Sequence, residues 1–490
     1  MSSPASTVDP AVVVQVQLDQ SRPLNPIWSF GGNTCHAPLW LRDDLNRHLA
    51  RVRETLGFKY VRAHGPLGDG MGIVRDDGAF DFSRLIAGLD RLLAHGFKPF
   101  LELSHMPAAL ARDDKSICHY RFRSAPPRDW GQWHALIEAS MGALVERYGL
   151  EELRLWYFEV WNEPDIAFWS GTQAEYFKLY DLAARAVKQA DAQLRVGGPA
   201  TARTNWIDEF LEHVTRSSAA FGLDMPRCDF ISTHAYPSDI EFLDSAQGEV
   251  ILQSSDVMRE LFAEVRRKVD DVLGEGFPVI CGEWNSSAGP LAANHDDCNN
   301  AAFIAKTMIE LSDLCQGSLV WNISDIYEEC RFHYEPFHGG YGLLSVNDIP
   351  KAGFHAFALL REHEGGERLA VRMGDAPPGV GVLATRQGEA LRLLVYHYQE
   401  PGGPPGATVE VHLAGLPAAS GELVQVLPGQ GSAYERWLEL GEPAYINRPI
   451  LNALEQASQP WRGTWAVGRE PLRLPPGTIA QLTLPVAPGA

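Results

Sequence analysis

The chain has 490 residues, 45% hydrophobic and 21% charged, a balance that buries a core and excludes a disordered chain; the length predicts one large domain with a smaller companion. Its 42 Lys and Arg against 62 Asp and Glu leave a net charge of −20, which repels phosphate backbones and anionic bilayers, so no nucleic acid partner and no membrane partner are expected and the ligand is read as neutral. No run approaches the roughly 18 apolar residues of a membrane helix, and the one early apolar run, 11–14, is too short for a secretory leader, which predicts a cytoplasmic protein.

In chain order, the alternating run 13–18 (VVQVQL) reads as a strand that joins a β domain, so residues 1–24 are assigned there. From 25 to 360 short apolar runs alternate with helical patterns, the habit of βα units around a parallel sheet. Strands are predicted at 28–33, 60–64, 98–104, 155–161, 194–198, 229–235, 278–283 and 318–324. Between them, 83–95 reads as a helix with Ser83 as N-cap, Leu85, Ile86, Leu89, Leu92 and Leu93 on one face, and Gly96 as its stop. A second helix opens on a capping box, Thr172 with Glu175, before Phe177, Tyr180, Ala184 and Val187. Eight such units predict an α/β fold, a (β/α)8 TIM barrel over 25–360. From 361 to 490 Gly and Pro punctuate strands at 391–398, 408–413, 422–427 and 479–484, an all-β accessory domain. Within it 401–407 (PGGPPGA) reads as a loop, and a helical pattern over 432–458 with Tyr434, Trp437 and Leu438 interrupts the strands.

The seven cysteines are odd in number and never in Cys-x-x-Cys spacing, which predicts reduced thiols. No metalloprotease helix, nucleophile elbow or phosphate loop occurs, 65–72 lacks dinucleotide-binding spacing, and no His pairs at metal spacing with a Cys or carboxylate cluster. Neither a cofactor nor a metal is expected.

The strongest local signal is WYFEVWNEPD, residues 156–165, an apolar strand that ends in a polar cluster and is stopped by proline. Barrel enzymes take catalytic side chains from the C-terminal ends of strands, and Asn162 and Glu163 occupy that place on strand four. Glu283, in PVICGEWN, occupies it on strand seven. Two carboxylates converging on one bond, each beside Trp and Asn, are what glycoside hydrolysis requires. Asn162, next to one carboxylate, is placed to donate to a sugar 2-hydroxyl. Other polar residues at strand ends are Arg62, His64, His105, His234, Tyr236, Trp321 and Glu329, while Glu328 points to the other face of an extended segment and reads as structural.

The run 156–165 resembles the signature of glycoside hydrolase family 39, which contains β-xylosidases and α-L-iduronidases, and VGGPAT (196–201), THAYP (233–237), EWNSS (283–287), SDIYEE (324–329) and FHGGYGLL (337–344) follow in family order. The resemblance implies a (β/α)8 barrel with an added β-sandwich. It implies Glu163 as general acid/base and Glu283 as nucleophile of a retaining double displacement, with carboxylates about 5 to 5.5 Å apart. It further implies that Arg62, His64, Trp321 and Glu329 hold the sugar and that Tyr236, with His234 beside it, orients Glu283. The expected activity is exo-acting release of xylose from the non-reducing ends of short xylo-oligosaccharides. The alternatives are an α-L-iduronidase, an α-L-arabinosidase activity, or a carbohydrate-binding protein without catalysis. Self-association as a homo-oligomer through aromatics of the β domain, Trp461 and Trp465, is compatible with any of these.

Overall fold

The computed structural model describes residues 10–216, 227–241, 249–403, 406–416 and 419–485. Eight parallel strands, Gly31–His36, Tyr60–His64, Lys98–Leu103, Tyr157–Val160, Arg195–Thr201, Phe230–His234, Val279–Trp284 and Gly317–Val320, close a barrel in chain order, the eighth pairing with the first through Leu319 and Gly31. Each overlaps a stretch predicted from sequence, and two are displaced for physical reasons. Strand one starts at Gly31 because Ile27–Ser29 form a 3-10 turn that buries Trp28. A side chain at Gly31 would collide with the Tyr60 carbonyl and Leu319, so glycine lets the first strand close against its neighbours. Strand eight ends at Val320, where the chain leaves the ladder and carries 321–324 across the barrel mouth, with Trp321 N donating to Trp284 O and Ile323 N to Asn33 O.

The period of two along each strand sorts the interior into layers. At the N-terminal end Tyr60, Phe100, Tyr157, Phe230, Ile280 and Leu319 form an apolar plug with Phe30. Two residues further along the same strands the inward positions are Arg62, Glu102, Glu159 and Ser232, all buried, and beyond them come His64, Ser104 and His234. The apolar plug closes one end, so the polar layers face the C-terminal mouth.

Among the outer helices, the capping box forms as expected: Thr172 Oγ1 accepts from Glu175 N at 3.2 Å, and Glu175 Oε2 accepts from Thr172 N at 2.8 Å. Ser83 is not an N-cap; it is the first residue of the helix Ser83–Ala94, and the Asp81 carboxylate accepts from its N–H. Gly96 follows with φ 84° and ends the turn.

The β domain is one ten-stranded mixed sheet. The N-terminal strand Ala11–Pro23 lies inside it, antiparallel to Glu367–Met373 and parallel to Val409–Ala414. Its alternation places Val12, Val14 and Val16 in a core with Leu391, Leu393, Val395, Val409, Val411 and Leu482. The other face of the sheet presents Leu383, Leu394, Tyr396 and Ile479 to the barrel core, and Asn299 and Gln399 exchange two hydrogen bonds across the junction. The helical pattern resolves into Tyr434–Glu439 and Arg448–Ala457, with Trp437 buried and Leu438 facing solvent. Trp465, offered from sequence for self-association, is buried in the sheet core, whereas Trp461 is exposed. Residues 404–405 of the predicted loop lie outside the described residues. All seven cysteines are free thiols. Among the described residues no helix is long and apolar enough to cross a membrane.

Candidate active site

Strand four ends at Val160, and the next residues turn over the mouth through left-handed backbone at Trp161 (φ 72°) and Glu163 (φ 43°). Such conformations are costly for residues with a Cβ and persist where surroundings hold them. Here Glu163 N donates to Ala200 O at 2.8 Å and the Trp161 indole donates to Phe168 O at 3.0 Å. Strand seven delivers Glu283, and Asn285 beyond it donates through Nδ2 to the carbonyls of Trp321 and Tyr341, which ties the ends of strands seven and eight together.

Glu163 and Glu283 meet across the mouth. An oxygen of each and a ring nitrogen of His234 all lie within 4.8 Å of one another. His234 Nδ1 is 3.0 Å from Glu163 Oε1 and 3.7 Å from Glu283 Oε2, while Tyr236 Oη donates to Glu283 Oε1 at 2.6 Å. Tyr236 therefore holds Glu283, and His234 serves Glu163 more closely. Sequence spacing gave no His with a carboxylate pair; the fold assembles one, because three strand ends separated by up to 120 positions meet at one opening.

Arg62 is fully buried and every N–H it has is spent on the protein. Nε donates to Glu159 Oε2 at 2.6 Å, Nη1 to Asn33 Oδ1 at 3.1 Å and Glu283 Oε2 at 3.4 Å, and Nη2 to Asn162 Oδ1 and Glu102 Oε2, both at 2.8 Å. Arg62, expected to hold sugar, spends these donors on three carboxylates, Asn33 and Asn162. Removing one partner from a buried ion cluster strands the others. Arg62→Met is thus expected to cost about 3–5 kcal/mol, read as a lower denaturant midpoint; an unchanged midpoint would show that the cluster carries no net stability.

His64 lies at the mouth: Nδ1 meets Glu102 Oε2 at 2.8 Å and Nε2 faces Glu283 Oε2 at 3.9 Å. Trp321 packs on His64 with ring centroids 4.8 Å apart. Glu329 is half-buried and accepts from Tyr327 Oη at 2.5 Å, whereas Glu328 turns away to His36 and Arg42. Asn162 gives its oxygen to Arg62, which leaves Nδ2 buried without a partner, a donor available to a ligand. Sequence reading missed Glu102, Glu159, Tyr327 and Tyr341. The signal for the first two was present: a lone Glu at an inward position of KPFLEL or YFEV has no solvent to face and must meet a cation.

Burial raises the pKa of both carboxyls. Glu163 stands well above the ordinary carboxylate range, chiefly through desolvation and then the neighbouring charges of Asp165 and Glu329. Glu283 is pushed up to about 8, chiefly by burial and also by the charge of Glu163, while His234, Arg62 and the Tyr236 hydroxyl oppose that rise. Burial lowers the pKa of His234, favouring the neutral ring. Two carboxyls in unlike surroundings thus face a common space with the His234 ring beside them, an arrangement that pushes paired pKa values apart.

Residues 12–469 match the family described as glycosyl hydrolases family 39. A beta-xylosidase of Caldicellulosiruptor saccharolyticus is 38% identical over 447 residues, 89% of this chain and 89% of that one. The crystal structure of a monomeric beta-xylosidase from Caulobacter crescentus superposes with a TM-score of 0.85 at 30% identity, covering 97% of this chain and 99% of that one. An alpha-L-iduronidase of Canis lupus familiaris is 25% identical over 507 residues, 91% of this chain and 73% of its own. The barrel, the added sheet and the family match across nearly the whole length give one result: the chain belongs to glycosyl hydrolases family 39 and is a glycoside hydrolase.

Proposed function

We propose that the chain is an exo-acting, retaining β-D-xylosidase that releases xylose from the non-reducing ends of short xylo-oligosaccharides, with Glu163 as acid/base and Glu283 as nucleophile. The observation that carries this reading is the approach of an oxygen of Glu163 and an oxygen of Glu283 to within 4.8 Å of each other. An inverting enzyme needs roughly 6.5–9.5 Å between its carboxyls to seat a water, and a retaining one only about 5–5.5 Å. Glu283 attacks the anomeric carbon from the α face as Glu163 passes its proton to the departing oxygen. The C–O bond breaks and a Glu283–xylosyl ester forms. Esterification removes the Glu283 charge, so Glu163, now deprotonated, draws a proton from water that attacks the ester from the β face. Asn162 Nδ2 donates to the 2-hydroxyl, where hydrogen bonding strengthens as oxocarbenium character develops.

The neutral glycone is favoured over an iduronate by Arg62, whose five donors are all committed to Glu159, Asn33, Glu283, Asn162 and Glu102; a substrate carboxylate would meet acidic groups without that guanidinium to pair with. The kcat/KM for an aryl β-D-xyloside is expected to exceed that for the corresponding α-L-iduronide by more than about a hundredfold. A preference for the iduronide would overturn the reading.

The pH profile of kcat/KM should be bell-shaped, falling at low pH as Glu283 takes up a proton and at high pH as Glu163 loses its own, with both limbs above the ordinary carboxylate range. The Tyr236 hydrogen bond lowers the Glu283 pKa, so Tyr236→Phe should move the acidic limb to higher pH and leave the basic limb in place. An unmoved acidic limb would remove Glu283 as its source. The donor set Glu163, His234 and Glu283 has the spacing of a metal site as well. A divalent ion there would occupy the lone pairs that the displacement uses, so dialysis against a chelator is expected to leave turnover unchanged; lost activity restored by a divalent ion would contradict the proposed chemistry.

A further inference from the structure

Outside the barrel, one groove of the β domain is built from parts the reaction does not use. It holds about 480 Å³ and lies between the turn at 429–430, the helix Tyr434–Glu439 and the C-terminal half of the helix Arg448–Ala457. Its remaining wall is Trp461, which opens the strand Trp461–Ala466. Among the described residues that strand pairs with Ser420–Pro428 alone, so it forms an edge of the sheet. The space is within the roughly 300–1,000 Å³ of small-ligand sites.

Trp461 is 37% exposed, although large apolar side chains of this chain are mostly buried. Two positions on, along the same side of the strand, is Gly463. A side chain there would collide with Cη2 and Cζ2 of the indole, so the glycine makes room for the ring to lie along its own strand. The polar part of the lining is three glutamines, Gln430, Gln456 and Gln459. Among the described residues nothing hydrogen-bonds the side-chain amides of Gln430 and Gln456, and each offers donors and an acceptor. Arg436, the one charged residue of the lining, is paired with Glu439 Oε2 at 2.7 Å.

This is a set of groups for a neutral polyol. An indole covers the C–H face of a pyranose, and amides bond its hydroxyls. An apolar ligand would leave the amides unpaired, and an anion would find a guanidinium already engaged. The groove also backs onto the barrel. Ala457, in its wall, belongs to a small core with Trp437, Leu454 and, from the loop after strand eight, Phe337 and Ile349. The same loop carries Trp321, which packs on His64.

We propose that this groove is a second, non-catalytic carbohydrate site, which takes a short stretch of a neutral β-1,4-linked xylo-oligosaccharide against Trp461. The choice of xylose units rests on the β-xylosidase reading; the choice of a neutral sugar rests on the lining.

The test uses the full chain with its active site closed by an activated 2-deoxy-2-fluoro-β-D-xyloside, which esterifies Glu283. Xylotetraose titrated into the blocked enzyme, followed by saturation-transfer NMR and calorimetry, should still bind. Trp461→Ala should weaken that binding about tenfold or more, and Gln456→Ala by a smaller factor. Neither variant should change kcat/KM on an aryl β-D-xyloside, which occupies the active site alone. No binding to the blocked enzyme, or binding that Trp461→Ala leaves unchanged, overturns the inference while the β-xylosidase reading stands. A wild-type dimer that becomes a monomer in Trp461→Ala, with no xylotetraose bound by either, overturns it too and gives the tryptophan to self-association. If wild type turns over no aryl β-D-xyloside, the reading itself falls, and the groove is then judged by Trp461-dependent binding of xylotetraose to the unblocked chain.

Discussion

Glu283→Ala is expected to lower kcat on an aryl β-D-xyloside by on the order of 10⁵- to 10⁶-fold, the scale on which deletion of a catalytic nucleophile acts. The substitution leaves a small gap bounded by Tyr236, His234 and Arg62, all groups that favour an anion. Added azide should occupy that gap, attack from the α face and restore turnover on an activated substrate, with α-xylosyl azide as product. The anomer is the decisive readout. A β-azide would place the lost group on the other side of the ring, and loss of activity without rescue, in a protein that remains folded, would leave Glu283 a structural partner of Arg62.

Glu163→Ala has a different signature because its role changes between the two steps. With a poor leaving group the missing proton slows glycosylation, by about 10²- to 10⁴-fold for the loss of general acid catalysis. With a dinitrophenyl leaving group, which departs unprotonated, glycosylation persists and the glycosyl-enzyme accumulates, so KM falls and a burst is seen. Azide then substitutes for the water that Glu163 can no longer activate, giving β-xylosyl azide. The basic limb of the pH profile belongs to Glu163, whose proton is held by burial beside Asp165 and Glu329; in the variant that limb should vanish. Equal losses on good and poor leaving groups, with the basic limb intact, would assign acid catalysis elsewhere.

The barrel was legible because its signals are local. Most strands contain a short apolar run, helices such as Ser83–Ala94 have a stripe, and Thr172 with Glu175 announces a helix start that the structure forms. Ser83 misled because Asp81 two residues earlier takes its N–H; one acidic neighbour displaced the cap. In the β domain the strands Val380–Gln387 and Glu367–Met373 escaped reading. The first packs Leu383 toward the barrel and Ala384 toward the sheet core, so burial on both faces erases the period of two. Glu163 and Glu283 were legible because each follows an apolar strand and stands beside Trp and Asn. Arg62 was found but its role was not, since nothing local shows that Glu102 and Glu159 flank it from strands three and four.

The central claim is retention by a carboxylate pair at close range. Proton NMR of the anomeric region during hydrolysis of an aryl β-D-xyloside, sampled before mutarotation, tests it most directly. The account predicts that β-xylose appears first and α-xylose follows only as the sugar equilibrates. Early α-xylose would mean a single displacement by water and would contradict the role of Glu283.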